Sequence, residues 1–197
     1  MKPTIIIGGG IVGLFSAYFL QKEGIEVTII DRTDLIDNCS TGNAGMIVPS
    51  HIIPLAAPGM ISKGIGWMFS SKSPFYIHPR LDYKLLQWCL LFFKAANEKQ
   101  VKRSIPFLKN LSFLSKALYQ EFKLEQPEAS IALVEKGLMM AYQTEAIEKE
   151  EIEFAHLARK YGLEAEILTP EDIKKVEPNL ELKARGAVLF PGDAHLD

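Results

Sequence analysis

Residues 5–31 read IIIGGGIVGLFSAYFLQKEGIEVTIID, and the order of residue types in this stretch decides the fold of the first part of the chain. The apolar run Ile5 to Ile7 predicts a strand, the glycines a tight turn into a helix, and Val27 to Ile30 a second strand that ends in an acid. Gly8, Gly10 and Gly13 fill the G-x-G-x-x-G positions of a dinucleotide-binding turn. Gly8 allows the sharp exit from the strand, Gly10 lets backbone approach a pyrophosphate, and Gly13 lets the helix pack closely. The helix opens at Ile11 and Val12, with free N–H groups and the positive end of its dipole toward the phosphates. Asp31 follows Gly8 by 23 residues, beside Arg32, where a carboxylate can accept ribose hydroxyl bonds and disfavours a 2′-phosphate. A glycine turn used only for packing is the other reading. Strand, turn, helix, strand and acid within about thirty residues favour the dinucleotide. Taken alone, the fingerprint leaves NAD and FAD open.

Close behind it stands STGNAG, residues 40–45. Small residues let backbone N–H groups come close to phosphate and flavin oxygens, and Ser40 and Asn43 add side-chain hydrogen bonds without bulk. Ala44, Gly45 and the adjoining Met46 complete the candidate loop. The plain reading of the same string is a polar turn between two apolar segments.

The stretch DNCSTGNAGMIVPSHIIPLAAPGM (residues 37–60) resembles the segment after the nucleotide unit in the D-amino-acid oxidase superfamily of FAD enzymes. It is most similar there to the bacterial D-amino-acid dehydrogenases. The positions that carry the likeness are Ser40, Asn43, Ala44 and Gly45, then Ala56, Ala57, Pro58 and Gly59. KGIGWMFSSKSPFYIHPRLD (63–82) and VEPNLELKARGAVLFPGDAHLD (176–197) extend it over nearly the whole chain, more softly between residues 85 and 165. The resemblance implies FAD as cofactor and a small amino acid as substrate. It also implies flavin oxidation of the amine to an imine, which water converts to a 2-oxo acid and ammonia. An NAD-dependent dehydrogenase is the third choice, and it leaves STGNAG unexplained.

Composition suits an ordinary globular enzyme: 197 residues, 48% hydrophobic, with a formal charge of −2 that gives no bulk attraction for nucleic acid. Cys39 and Cys89 lack the paired spacing of a disulfide framework or metal site. Cys39 is expected as a small buried residue rather than a redox group. With no signal-peptide pattern at the amino end, a cytoplasmic location is expected. LLQWCLLFF (85–93) is far shorter than the roughly twenty residues of a membrane span. It reads first as core. With Trp67, Met68 and Phe69, and with Lys63, Lys72, Arg80, Lys84 and Lys94 around it, its second reading is a membrane-surface patch, peripheral on the inner face of the cell membrane. The resemblance adds a respiratory electron acceptor to that reading.

The expected fold class is α/β: a Rossmann-type FAD-binding βαβ unit (residues 1–51), then an α+β substrate lobe (52–190). Residues 191–197 begin a return to the first domain, so the fold is expected to be truncated. Within the lobe, a Pro- and Gly-punctuated loop runs to about residue 80. Helices are predicted over 83–97 and over 99–123, the latter broken at Pro106. Strands at 131–135 and 138–142 are predicted to form a hairpin through Lys136 and Gly137. A helix over 145–161 ends at Gly162, Thr169 caps another that starts at Pro170, and Gly186 to Phe190 forms the final strand.

The lobe offers no catalytic constellation. His51, His78, His156 and His195 have no metal-ligand spacing, and no nucleophile elbow is present. His51 is placed to face a flavin, although a structural or solvent-facing role fits it better; His156 reads as a surface residue, and Asp193 and His195 as turn or pocket-lining groups. A flavin oxidation needs no protein base if the amine arrives neutral, because the cofactor carries the chemistry. In similar enzymes a later half supplies a carboxylate-binding arginine and a second glycine-rich flavin loop. Arg80 and Arg185 are the arginines offered as substitutes, and neither matches the family position. A non-catalytic FAD-binding fragment therefore stands as the alternative to an active enzyme.

Overall fold

A computed structural model describes residues 2–35, 38–68, 77, 80, 82–129 and 131–196. Asp37, Phe69, Lys72, His78, Leu81, Asp197 and most of the run between residues 69 and 81 lie outside the described residues, so the expectations placed on them do too. The chain forms two compact units, residues 1–45 and 46–197.

The first unit is a βαβ element. β1 (Thr4–Ile7) and β2 (Val27–Ile30) run parallel with Thr4 opposite Val27 and Ile7 opposite Ile30, joined by α1 (Ile11–Lys22). The alternation of β-branched residues gives the strands two faces. Thr4, Ile6, Val27 and Ile29 are half-buried, while Ile5, Ile7 and Ile30 are exposed, Ile7 by 87%.

The second unit contains two three-stranded antiparallel sheets. β3 (Met46–Ile47), β8 (Ala194–Leu196) and β4 (Leu133–Val134) form one in that order; β5 (Leu138–Tyr142), β7 (Gly186–Phe190) and β6 (Glu166–Leu168) form the other. The main core joins Ile52, Ile105, Tyr142, Ala155, Ala158, Leu163, Ala165, Val188 and Phe190. It lies under α5 (Glu145–Lys160) and α4 (Glu98–Glu125). α5 is set by a Thr144 cap, acids in its first turn and bases in its last, and Gly162 at a φ of +73° terminates it as predicted. α6 (Pro170–Val176) carries a full capping box between Thr169 and Asp172 with Pro170 in its first turn.

Several expectations are corrected. The segment to residue 80 is not all loop, because α2 (Met60–Met68) forms within it; α3 (Tyr83–Ala95) follows, its first turn capped by Asp82. α4 continues through Pro106. The proline removes one hydrogen bond, but Ile105, 1% exposed, and Val101 hold the helix against the main core on that turn. β4 and β5 do not pair as a hairpin. Gly137 turns the chain at a φ of +83° and donates its N–H to the Asp193 carbonyl, so the strands enter different sheets. Leu133 packs with Ile47 and Ala194, whereas Tyr142 packs in the main core. Burial of two separate apolar sets overrides the local turn signal. β7 is not the final strand, since β8 follows it. Cys39 is exposed, as is Cys89.

Candidate nucleotide site

In the first unit the chain leaves β1 through Gly8, whose φ of +105° lies in the left-handed region that glycine adopts without strain. The Gly8 N–H donates to the Ile30 carbonyl at 2.8 Å and holds the turn against the end of β2. Gly13 answers a different demand. A Cβ there would lie 2.0 Å from the Gly8 carbonyl oxygen and 3.1 Å from its carbon. Only glycine lets the first turn of α1 settle onto the turn.

α1 begins after Gly10 without a side-chain cap. The first N–H groups of a helix have no intrahelical acceptor. One of them, from Ile11, donates to Ser40 Oγ at 2.9 Å. The neighbouring N–H groups at Val12 and Gly13 belong to the same positive end, and the Ile11 and Val12 side chains are exposed. A Cβ on Gly10 would come within 3.3 Å of Ser40 Oγ, and one on Gly8 would meet nothing within 4 Å. The fingerprint thus leaves backbone bare in front of the helix, and Ser40 sits at that same end.

Asp31 is fixed from both sides. Its Oδ2 accepts the Gly9 N–H at 2.7 Å, and its Oδ1 accepts the N–H and the hydroxyl of Thr33, each at 2.9 Å. The Gly9 N–H, followed by the two Thr33 bonds, lowers its pKa to about 2. It is therefore a carboxylate at neutral pH. A carboxylate oxygen has more than one acceptor position, so Oδ2 keeps capacity for a hydroxyl beyond its bond to Gly9. Arg32, next to it, is exposed.

The rest of the candidate loop is held by its own side chains. Asn38 Oδ1 accepts the Ser40 N–H at 2.8 Å, Asn43 Nδ2 donates to the Ser40 carbonyl, and Asn43 Oδ1 accepts the Gly45 N–H at 2.5 Å. Asn43 thus builds the turn that carries Ser40, with Ala44 exposed beside it and Gly45 at a φ of +62°. Gly8, Gly10, Ile11, Val12, Gly13, Asp31, Arg32, Ser40, Asn43, Ala44 and Gly45 all belong to this unit; Met46 begins β3 opposite His195 in the second. Sequence reasoning missed Gly9, Thr33 and Asn38. The Asp-x-Thr and Asn-x-Ser spacings are the local turn signals that could have identified the last two. Gly9 was readable only as a fingerprint spacer, yet a Cβ there would strike Leu35 Cδ2 at 2.1 Å.

In the second unit Asp193, 1% exposed, accepts the Ser50 N–H at 2.9 Å and the Ser50 hydroxyl at 2.5 Å. Burial raises its pKa, against the pull of the Ser50 bonds. The pair ties the segment after β3 to the turn between β7 and β8. His51 is exposed, with Nδ1 3.2 Å from Ser50 Oγ and its ring edge-on to Phe154; His156 is exposed on α5. Arg185 pairs with Glu148 at 2.7 Å and Arg80 with Asp82 at 3.4 Å. Among the described residues no group of His, Cys, Asp and Glu is arranged to hold a metal ion.

Comparison with known proteins identifies the family. The family model described as DAO, FAD dependent oxidoreductase, matches residues 4–197. A D-amino acid dehydrogenase of Helicobacter pylori is 31% identical over 196 residues, covering 100% of this chain and 46% of that protein. D-amino acid dehydrogenase 2 of Ralstonia nicotianae is 32% identical over 185 residues, 93% of this chain and 43% of that protein. The chain therefore spans a little under half the length of these relatives. Among solved structures, glycine oxidase from Geobacillus kaustophilus superposes with a TM-score of 0.65 at 23% identity, over 98% of this chain and 40% of that one.

Proposed function

Because the chain belongs to the DAO family of FAD-dependent oxidoreductases, we propose that residues 8–45 bind the ADP part of FAD and that the whole protein oxidises a small D-amino acid. The cofactor of the family is FAD, and the residues present fit it. The backbone before α1 is bare, Gly13 leaves no room for a side chain, and Asp31 is an ionised acceptor at the end of β2. In this reading Gly10, Val12 and Gly13 present N–H groups to the pyrophosphate, while Ser40 takes the Ile11 N–H and fixes that end of the helix. Asp31 receives ribose hydroxyls, with Gly9 and Thr33 holding its carboxylate in place.

Bound FAD supplies the two-electron acceptor for the oxidation. The amino acid loses its Cα hydrogen with its bonding electron pair, as hydride, and an amine proton to become an imine, which water hydrolyses to a 2-oxo acid and ammonia. The dehydrogenase names of the relatives support an electron carrier other than dioxygen as the next acceptor, and a respiratory carrier is the one proposed.

The observation that carries this reading is the Asp31 carboxylate held by Gly9 and Thr33 directly above the glycine turn. A visible absorption spectrum of the purified chain with added FAD tests it. Retained yellow flavin that Asp31→Ala releases supports the site, and a colourless chain that takes up no FAD overturns it. A second reading, FAD binding without turnover in this 197-residue chain, is favoured by its coverage of 46% of the Helicobacter pylori relative. Anaerobic addition of D-alanine separates the two, since bleaching of the flavin requires that the chain carry out the reductive half of the reaction.

A further inference from the structure

α4 has two unlike sides. Val101 and Ile105 pack against the main core and Tyr119 against the smaller one around Leu133, so one side of the helix is committed to its own unit. The opposite side carries Phe107, Leu111 and Leu114, exposed by 71%, 64% and 55%. Together with the half-buried Leu118 they recur every three or four residues, which keeps them on a single stripe of the helix. A contiguous apolar stripe of this kind on a soluble unit marks an interaction surface.

Charge gives the stripe a direction. Arg103 continues it toward the amino end of α4, with Lys99 beside it, and Glu121 and Glu125 continue it toward the carboxyl end; all four are exposed. The remaining bases of the helix do not offset that polarity. Lys102 pairs with Glu98 at 3.2 Å, and Lys109 donates to the Tyr161 carbonyl. Lys116 reaches to the Gly192 carbonyl at 3.0 Å and to Glu135 at 3.1 Å, and Lys123 to the Leu133 carbonyl at 3.0 Å. The outward side therefore reads base, apolar centre, acid along a helix about 42 Å long.

We propose that this stripe is a self-association surface, on which α4 of one copy lies antiparallel on α4 of a second in a two-fold dimer. This goes beyond the oxidation chemistry and does not depend on FAD. The polarity selects the occupant, because the stripe complements itself when inverted. An antiparallel register that sets Leu111 opposite the second copy's Leu114 also sets Phe107 opposite Leu118 and brings Arg103 within one residue of Glu121. Two-fold symmetry then repeats every contact in reverse. The same arrangement lays the positive end of each helix beside the negative end of the other. A parallel pair would instead set Arg103 against Arg103 and Glu121 against Glu121. A contact of two helices is smaller than a permanent interface, so the dimer is reversible, with a Kd of roughly micromolar order.

Sedimentation equilibrium of the full 197-residue chain across roughly 1–200 μM tests the proposal. A monomer–dimer equilibrium is expected. Leu111→Glu/Leu114→Glu sets acid against acid at the centre and should weaken association about tenfold or more. Arg103→Glu and Glu121→Arg should each weaken it about threefold or more, and the double variant Arg103→Glu/Glu121→Arg should bring it back to within about twofold of the original. A chain that stays monomeric across the range overturns the proposal, as does a dimer that Leu111→Glu/Leu114→Glu leaves intact. Single charge variants without effect, or a double swap that restores nothing, overturn the antiparallel pairing and the proposal with it. Should Leu111→Glu/Leu114→Glu fail to fold by circular dichroism, the charge variants decide the matter.

Discussion

Gly13→Ala probes the nucleotide turn most directly, because two effects of known size oppose each other. Inside a helix, alanine is favoured over glycine by about 0.8–1.0 kcal/mol, so on propensity alone the substitution stabilises α1. The structure reverses the sign. The new Cβ would stand 2.0 Å from the Gly8 carbonyl oxygen, where a close carbon–oxygen contact needs about 3.3 Å. Roughly 1.3 Å of separation must be created. Neither partner yields easily: Gly8 is held by its bond to Ile30 at a φ of +105°, and lifting α1 pulls the Ile11 N–H from Ser40 Oγ. Overpacking of this kind costs about 1–3 kcal/mol, and the upper end applies where backbone offers no rotamer to escape into. The net expectation is destabilisation by about 1–2 kcal/mol after the propensity gain. FAD affinity should fall about tenfold or more, because the N–H groups proposed to meet the phosphates would be displaced. Urea unfolding and titration of flavin fluorescence measure the two effects. Gly66→Ala, inside α2 and outside the nucleotide unit, is the control, since a Cβ there meets nothing within 4 Å. Greater stability in Gly13→Ala, with FAD affinity within about twofold of the original, would refute the reasoning.

Asp31, Asp193 and Gly186 carry the remaining expectations. Asp31→Ala should weaken FAD binding by roughly tenfold to a hundredfold, read in the same titration, as a charge-assisted acceptor is lost. Because the folded pKa of Asp31 is lowered to about 2, its contribution to stability is present above the ordinary carboxylate range and is lost as pH falls through about 2; Asp31→Ala should remove that acid-side dependence in pH-resolved melts. Asp193→Ala should cost about 2–3 kcal/mol in urea unfolding, since it leaves the buried Ser50 N–H without its acceptor. The raised pKa of Asp193 works in the opposite sense, giving stability below the unfolded carboxylate pKa that fades as pH rises through the folded one, so Asp193→Asn should flatten that decline. Gly186→Ala should destabilise the second unit by about 1–3 kcal/mol, because its Cβ would lie 2.5 Å from the Tyr142 hydroxyl and 2.8 Å from the Leu168 carbonyl.

Local chemistry was legible wherever a few adjacent residues carry the whole signal. The Thr169 cap and the Gly162 stop each depend on contacts within about one turn of chain, and each strand of the βαβ unit is a short run of β-branched residues. Reading failed where distant partners decide the outcome. Lys136 and Gly137 look like a hairpin turn, yet Gly137 bonds to Asp193 and the flanking strands go to separate cores. Pro106 looks like a break, yet the burial of Ile105 carries α4 through it. β3 has two residues and exists through β8, which no periodicity could reveal.

The same division runs through the candidate site. From the sequence alone came the glycine spacing, the acid at the end of β2 and the loop of small residues, because backbone conformation and residue size are properties of the local string. Tertiary structure alone decided how these parts are held. Asp31 is gripped by Gly9 across 22 residues, and Ser40 reaches Ile11 across 29. It also decided that α2 and α3 keep their apolar residues at the surface. A hydrophobic pattern records which side chains leave water, but what they meet is set by the parts of the fold packed around them.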